Sequence, residues 1–287
     1  MLFEEYKRSL KMPEVEEVLD LIFYRPVAFL FVKLIYRMPV TPNGITMLSL
    51  LSGLIAAWYF SIGVSQALVV GALWYATANI LDCSDGQLAR LQQSGTLLGR
   101  VVDGVIDYIS SVAIFLGIGI GLSIAGSPQW IVVIIAGISS AIHAIMFDRY
   151  QNEFITVVRN EKNFHHREVE RFTNEIQRMT AEHRDAGKVF FLKLYLSYLR
   201  IQKHSGPSDD TRFDPEFYKN KNLLMIRLWS FLGPTTNRTL LIVCALAGKV
   251  EYFLWIIILP ANLWLVMCFL VQRKINRDLV TGSSYAG

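Results

Sequence analysis

Cysteine is scarce in this chain of 287 residues. There are only three, Cys83, Cys244 and Cys268, an odd number at wide spacings. That argues against a disulfide framework and leaves each thiol as a small apolar filler in or beside an apolar run. Charge is sparse too, with 18% charged residues against the roughly 25% of ordinary soluble domains. No internal repeat and no low-complexity tract is present, which speaks against a solenoid or a disordered linker. No short apolar segment with a small-residue cleavage site precedes the first long apolar run, so no cleaved signal peptide is expected.

Apolar residues fill the space left by these absences. They make up 53% of the chain, and mean hydropathy is +0.36. That is too apolar for a soluble domain and predicts a polytopic membrane protein. Six runs approach the roughly 20 residues a bilayer-crossing helix needs: 45–62, 66–85, 98–123, 129–148, 225–248 and 252–272. Gly233 and Pro234 interrupt the fifth. The expected fold is all-α: six transmembrane helices, an N-terminal amphipathic interfacial helix, and a helical cytoplasmic insert between spans four and five.

Basic residues set the expected orientation. The short candidate outer loops, 63–65, 124–128 and 249–251, hold only Lys249 of the 28 lysines and arginines. The rest load the other side, which the positive-inside rule makes cytoplasmic. Both termini then lie in the cytoplasm. The formal net charge of +4 suits an anionic leaflet, and no nucleic-acid partner is expected.

Four regions follow. Residues 1–40 are cytoplasmic or interfacial: Val15, Val18, Leu19, Ile22 and Phe23 follow 3–4 spacing, and "FYRPVAFLFVKLIYRM" mixes apolar residues with Arg25, Lys33 and Arg37. Residues 41–148 hold spans one to four, introduced by "TPNGIT" (41–46), where Thr41 can cap and Pro42 suits a first turn. Residues 149–222 are a hydrophilic insert. In it Val169, Phe172, Ile176 and Met179 form one helical stripe, 188–201 reads as a second helix, and "HSGPSDD" (204–210) reads as a loop. Residues 223–287 carry spans five and six and the tail.

Chemistry concentrates in "LDCSDGQLARLQQSGTLLGRVVDGVIDY", 81–108. Asp82 and Asp85 are three apart, and Asp103 and Asp107 four apart, so each pair shares a helix face. The link 91–97 is short, which makes the two spans antiparallel neighbours and lets four carboxylates face one another near the cytoplasmic interface. Four like charges in a low-dielectric setting are untenable alone. Protonation or cations must relieve them. Carboxylate ligands favour hard divalent ions, Mg²⁺ or Mn²⁺, and a two-ion clamp suits phosphoryl chemistry. Gly86, Ala89 and Gly99 remove bulk beside the carboxylates, either for a ligand or for close helix packing. Arg90 can pair with a phosphate.

The pattern Asp82-x2-Asp85-Gly86-x2-Ala89-Arg90-x8-Gly99-x3-Asp103-x3-Asp107 resembles the signature of the CDP-alcohol phosphotransferase (CDP-alcohol phosphatidyltransferase) family. Eight fixed positions match by chance at roughly 10⁻¹⁰ per start site when each residue type has about 5% usage. The resemblance implies transfer of a phosphorylated alcohol from a CDP-linked lipid or CDP-alcohol donor to an acceptor hydroxyl, with release of CMP, at a site open to the cytoplasm within the leaflet. It also implies a homodimer among membrane lipids. Carried onto this chain, it places two metal ions on Asp82, Asp85 and Asp103, and has Asp107 complete the second metal site or accept the acceptor's proton. Gly86, Ala89 and Gly99 would line the nucleotide pocket with Arg90 near its phosphates. Asn43 and Thr46 become candidates for the cytidine end.

Arg238 and Arg227 are candidates for an anionic acceptor, and His143 within span four is expected to be a core histidine. A cation or proton transporter and a membrane scaffold are the competing classes. Clustering at one end of two spans disfavours the transporter, which would want midplane carboxylates and repeated halves. The acceptor is expected to be inositol, inositol phosphate, glycerol phosphate or serine, with phosphatidyl arriving from CDP-diacylglycerol. The alternative is a CDP-choline or CDP-ethanolamine donor acting on diacylglycerol or ceramide.

Overall fold

The computed structural model describes residues 2–160, 164–181, 186–203 and 214–283. Among these every regular element is a helix. Twelve α-helices follow in order: α1 (Leu2–Ser9), α2 (Arg25–Ile35), α3 (Pro42–Ser61), α4 (Ser65–Gln92), α5 (Leu97–Ile124), α6 (Trp130–Val158), α7 (Phe164–Ala181), α8 (Ala186–Lys203), α9 (Pro215–Trp229), α10 (Pro234–Leu246), α11 (Val250–Ile256) and α12 (Asn262–Ser283). A π-turn at Ile257–Ala261, which contains Pro260, joins α11 to α12 into one rod.

Local chemistry sets the ends of the helices that matter. Thr41 sits in an extended conformation and accepts from Gly44 N–H at 3.2 Å, with Pro42 in the first turn, as its sequence suggested. Thr96 caps α5 in the same way, accepting from Gly99 N–H at 2.9 Å. α4 stops at Gln93, whose φ of 52° turns the chain into the left-handed region.

Five described helices are long and apolar enough to cross a membrane: α3, α4, α5, α6 and the α11–α12 rod, Val250–Leu279. The expected fifth run, 225–248, is not one helix. α9 ends at Trp229, a 3₁₀ turn covers Ser230–Leu232, Gly233 is extended, and α10 starts afresh at Pro234. Pro234 lacks the amide hydrogen that a continuous helix would need there. α10 has 13 residues, so it extends about 20 Å against a hydrocarbon core of about 30 Å.

α3 and α5 approach until backbones touch. A Cβ on Gly117 would lie 2.2 Å from Ala57 O, and one on Gly121 would lie 2.1 Å from Phe60 O. Only glycine permits that approach. Around it Ala56, Phe60, Tyr75, Ile114, Ile118, Leu241 and Phe253 pack a core shared by α3, α4, α5, α10 and α11. A second core joins α6, α9 and α12 through Phe147, Tyr150, Phe154, Met225, Trp229 and Cys268. Outward faces stay apolar, with Leu73, Val112, Leu116, Ile131, Ile138 and Leu263 exposed, as lipid contact requires.

The polar connections cluster by level. Glu251 accepts from Gln129 Nε2 at 3.0 Å, Gly63 lies against Gly121 and Ile124, and Gly248 lies against Ser65. The short loops 62–64, 125–129 and 247–249 therefore meet at one end. The aspartates lie toward the other.

The N-terminal region is not one amphipathic helix. α1 is followed by a turn, then a π-turn at Asp20–Tyr24 that runs into α2. Val15 is buried in the turn against α6 and α9, while Ile22, Phe23, Leu30 and Leu34 project outward. The two helices expected at 169–179 and 188–201 are α7 and α8. Phe172, Ile176 and Met179 of α7 meet Leu192 and Leu196 of α8, and both press on Val101 of α5. The 204–210 loop lies outside the described residues, as do the side chains of His165 and His166.

Candidate functional site

Two helices deliver the carboxylates. On α4, Asp82 and Asp85 are separated by just under one turn; on α5, Asp103 and Asp107 are separated by just over one. The two helices do not pack directly on each other, as the short link had suggested; both pack on α3, and their carboxylates face one another across the gap between them. One carboxylate oxygen from each of Asp82, Asp85 and Asp103 lies within 4.8 Å of the others. Asp103 Oδ1 is buried without a partner. Such an orphaned carboxylate oxygen beside two others is the chemistry of an oxygen-ligand cation site. Cys83, between two of them in sequence, points away: its Sγ lies 3.6 Å from Asp20 Oδ1. The donor set is therefore oxygen only.

α3 supplies a fourth side. Thr46 Oγ1 donates to Asp85 Oδ2 at 2.7 Å, which leaves Asp85 Oδ1 for the centre. Asn43, one turn before, lies beside Gly99: a Cβ on Gly99 would stand 3.2 Å from Asn43 Oδ1. α10 supplies Arg238. Its Nη1 donates to Asp82 Oδ2 at 2.8 Å and Asn79 Oδ1 at 2.9 Å, and its Nη2 donates to Asp107 Oδ1 at 2.6 Å. Asp107 is thus bound to the guanidinium and lies outside the three-carboxylate group.

The structure brings most of the signature to this place, but not all of it. Gly86 faces the Arg90 guanidinium, at 3.4 Å from an added Cβ. Arg90 itself donates through Nε to Ser9 O at 2.5 Å, while its Nη2 is buried without a partner. The N-terminal segment therefore holds one edge of that cation. Arg227 is turned elsewhere. It donates to Glu16 O at 3.1 Å and Pro13 O at 2.9 Å, tying the N-terminal segment to α9. His143 is fully buried, with Nε2 2.9 Å from Asn262 Oδ1, in keeping with a core histidine.

Two participants were not singled out from the sequence. Asn79 is buried and receives Arg238; its place three residues before Asp82 put it on the carboxylate face, and that spacing was the available signal. Glu17 is the other. It caps α10 from outside the helix: Oε1 accepts from Thr235 N–H at 3.0 Å, and Oε2 accepts from Thr236 N–H and Oγ1, each at 2.8 Å. Burial, with the Asp20 carboxylate as a smaller cause, pushes Glu17 up to about 8. No local motif connects residue 17 to residue 235.

The arrangement can bind a hard divalent cation and present a further carboxylate and a guanidinium on the same wall. Residues 39–162 match the family described as CDP-alcohol phosphatidyltransferase. The chain is 30% identical over 108 residues to an archaetidylinositol phosphate synthase of Pyrococcus horikoshii, covering 38% of this chain and 54% of the relative. It is 29% identical over 117 residues to a bifunctional IPC transferase and DIPP synthase of Thermococcus kodakarensis, covering 40% of this chain and 26% of that protein. The matched part of the chain thus spans about half of one relative and a quarter of the other.

Proposed function

We propose, from the match of residues 39–162 to the CDP-alcohol phosphatidyltransferase family, that the protein transfers a phosphatidyl group from a CDP-diacylglycerol-type lipid to an acceptor hydroxyl and releases CMP. The observation that carries the reading is the convergence of Asp82, Asp85 and Asp103 within 4.8 Å, with Asp107 one turn beyond. Asp82, Asp85 and Asp103 would hold Mg²⁺ or Mn²⁺, and Asp82 with Asp107 would offer a place for a second ion. Bound there, such ions neutralise the donor's diphosphate and stabilise the departing CMP.

The chain's own groups do the rest. Gly86, Ala89 and Gly99 leave room for the cytidine diphosphate, Asn43 and Thr46 stand at its nucleoside end, and Arg90 turns its unpaired Nη2 toward the phosphates. Asp107 accepts the proton of the acceptor hydroxyl, because it lies outside the three-carboxylate group yet on the same wall. Arg238 lies on Asp107 and serves an anionic group there, the acceptor's phosphate or the donor's. One relative is named for an archaetidylinositol phosphate, which favours inositol phosphate over uncharged inositol or serine. Arg227, committed to backbone carbonyls, serves the docking of the N-terminal segment.

Around this chemistry we place six crossings. α10 makes the sixth, running from the aspartate level to the end where loop 247–249 lies, with the turn at 230–233 completing its length. The basic end faces the cytoplasm with both termini, the regions 1–40, 41–148, 149–222 and 223–287 keep separate roles, and two copies associate in the bilayer. The decisive experiment incubates purified protein with radiolabelled CDP-diacylglycerol, Mg²⁺ and each acceptor in turn. CMP release with inositol phosphate, lost in Asp82→Asn, supports the reading. Release only from CDP-choline with diacylglycerol moves the protein to the other branch, and a folded protein inert with every donor and acceptor refutes the enzyme.

A further inference from the structure

The site already holds one positive charge of its own. The Arg238 guanidinium spans Asp82 and Asp107 at 2.8 and 2.6 Å. Its side chain is 11% exposed, against 22% for Asp82 and 38% for Asp107, so the guanidinium is the desolvated partner and the one costly to leave alone. Asp82 offers Oδ2 to Arg238 and retains Oδ1. Asp85 gives Oδ2 to Thr46 and retains Oδ1, and Asp103 keeps a buried oxygen with no partner. One divalent ion can therefore sit among Asp82, Asp85 and Asp103 with Arg238 undisturbed. A second ion between Asp82 and Asp107 needs the ground that the guanidinium occupies.

We infer that Arg238 is a resident counter-cation that blocks the second metal position in the donor-free protein, and that it moves from Asp82 and Asp107 to the donor's diphosphate as that position fills. This rests on the proposed metal-dependent transfer. Charge balance gives the reason. Four carboxylates, one guanidinium and one divalent ion leave a single net negative charge. A second divalent ion added alone would reverse it to a single positive charge in a low-dielectric place, whereas arriving with a diphosphate it restores the balance. The planar fork of arginine suits both states, since it pairs in two-pronged fashion with carboxylate and with phosphate. The device loads the second ion only when there is a diphosphate to activate.

Metal counting tests this without turnover. Mn²⁺ is titrated into the purified full chain and free Mn²⁺ is read by electron paramagnetic resonance, with cytidine diphosphate as the donor probe. Wild type is expected to bind one ion tightly and a second at least about tenfold more weakly; cytidine diphosphate tightens the second by a similar factor. Arg238→Gln is expected to tighten the second site about tenfold without cytidine diphosphate, because a unit positive charge beside the ion is gone. Arg238→Lys, which keeps the charge, stays close to wild type. The cytidine diphosphate arm uses the unaltered protein and stands even if Arg238→Gln fails to fold. Two equally tight ions in wild type without nucleotide overturn the inference while leaving the metal site intact. So does a second site that neither nucleotide nor Arg238→Gln tightens. A folded wild type that binds no Mn²⁺ overturns the metal reading itself, and the inference with it.

Discussion

Replacing Gly117 by alanine tests how the membrane packing sets the chemistry. The new Cβ would stand 2.2 Å from Ala57 O, whereas a relaxed carbon–oxygen contact lies near 3.3 Å. α3 and α5 must part by roughly 1 Å at that level, since the obstacle is backbone and has no rotamer to yield. Overpacking of this kind costs about 1–3 kcal/mol, partly offset by the gain of about 1 kcal/mol when alanine replaces glycine in a helix. The consequence reaches the site because α3 carries Thr46 and α5 carries Asp103 and Asp107. Gly117 is some 15 Å along the helix from Asp107, so only part of the displacement arrives there. A full 1 Å at reacting groups costs on the order of a hundredfold; about tenfold in CMP release is expected, together with earlier heat inactivation in detergent. The comparison is Gly104→Ala, on the same helix with nothing within 4 Å of its added Cβ, which is expected to keep its heat stability. Gly117→Ala with wild-type stability and turnover would refute the claim that this backbone contact sets the spacing of the two helices.

Glu17 predicts a pH dependence. Its folded pKa is raised from 4.5 to about 8, so the folded state binds the extra proton. The stability it contributes is complete below the unfolded pKa and is lost as pH rises through about 8. Thermal unfolding of wild type should therefore worsen across that window relative to Glu17→Gln, and parallel profiles would contradict the assignment. Thr46→Val keeps the shape but removes the 2.7 Å bond to Asp85. A bond to a charged group is worth about 1.5–3 kcal/mol, and weaker Mn²⁺ binding in a calorimetric titration is the expected sign. Phe172→Ala empties a fully buried position between α7, α8 and α5. A loss of about 3–5 kcal/mol should free the hairpin, read as faster proteolysis within 164–203 while the α3–α6 bundle stays intact.

Much of the site was legible because it is local. Asp82 with Asp85 and Asp103 with Asp107 declare their shared faces through helical spacing, while the short link only keeps the joined ends of α4 and α5 close; α3, packed on both, holds the faces toward each other. Hydropathy marks α3 to α6 and the α11–α12 rod for the same reason, since each run satisfies its own backbone within itself. The Val169, Phe172, Ile176 and Met179 stripe likewise shows a helix seeking a partner. Thr41 and Pro42 announce a helix start within four residues.

What spacing does not carry is the choice of partner across the chain. Which three of four aspartates converge depends on where α4 and α5 each sit along α3, and Gly71, Gly117 and Gly121 set that by their contacts with α3. Arg238 was an isolated charge in the sequence, and Glu17 one of an acidic cluster with Glu14, Glu16 and Asp20. Their roles appear only when α10, broken off at Pro234, lays its first turn against the N-terminal segment and its arginine against α4 and α5. Arg90 and Arg227 show the same limit, since carbonyls at Ser9, Pro13 and Glu16 claim them. Periodicity fixes which side of a helix a residue occupies. Close packing between distant segments decides what it finds there, because a buried charge takes whichever complementary group the fold brings within hydrogen-bond reach.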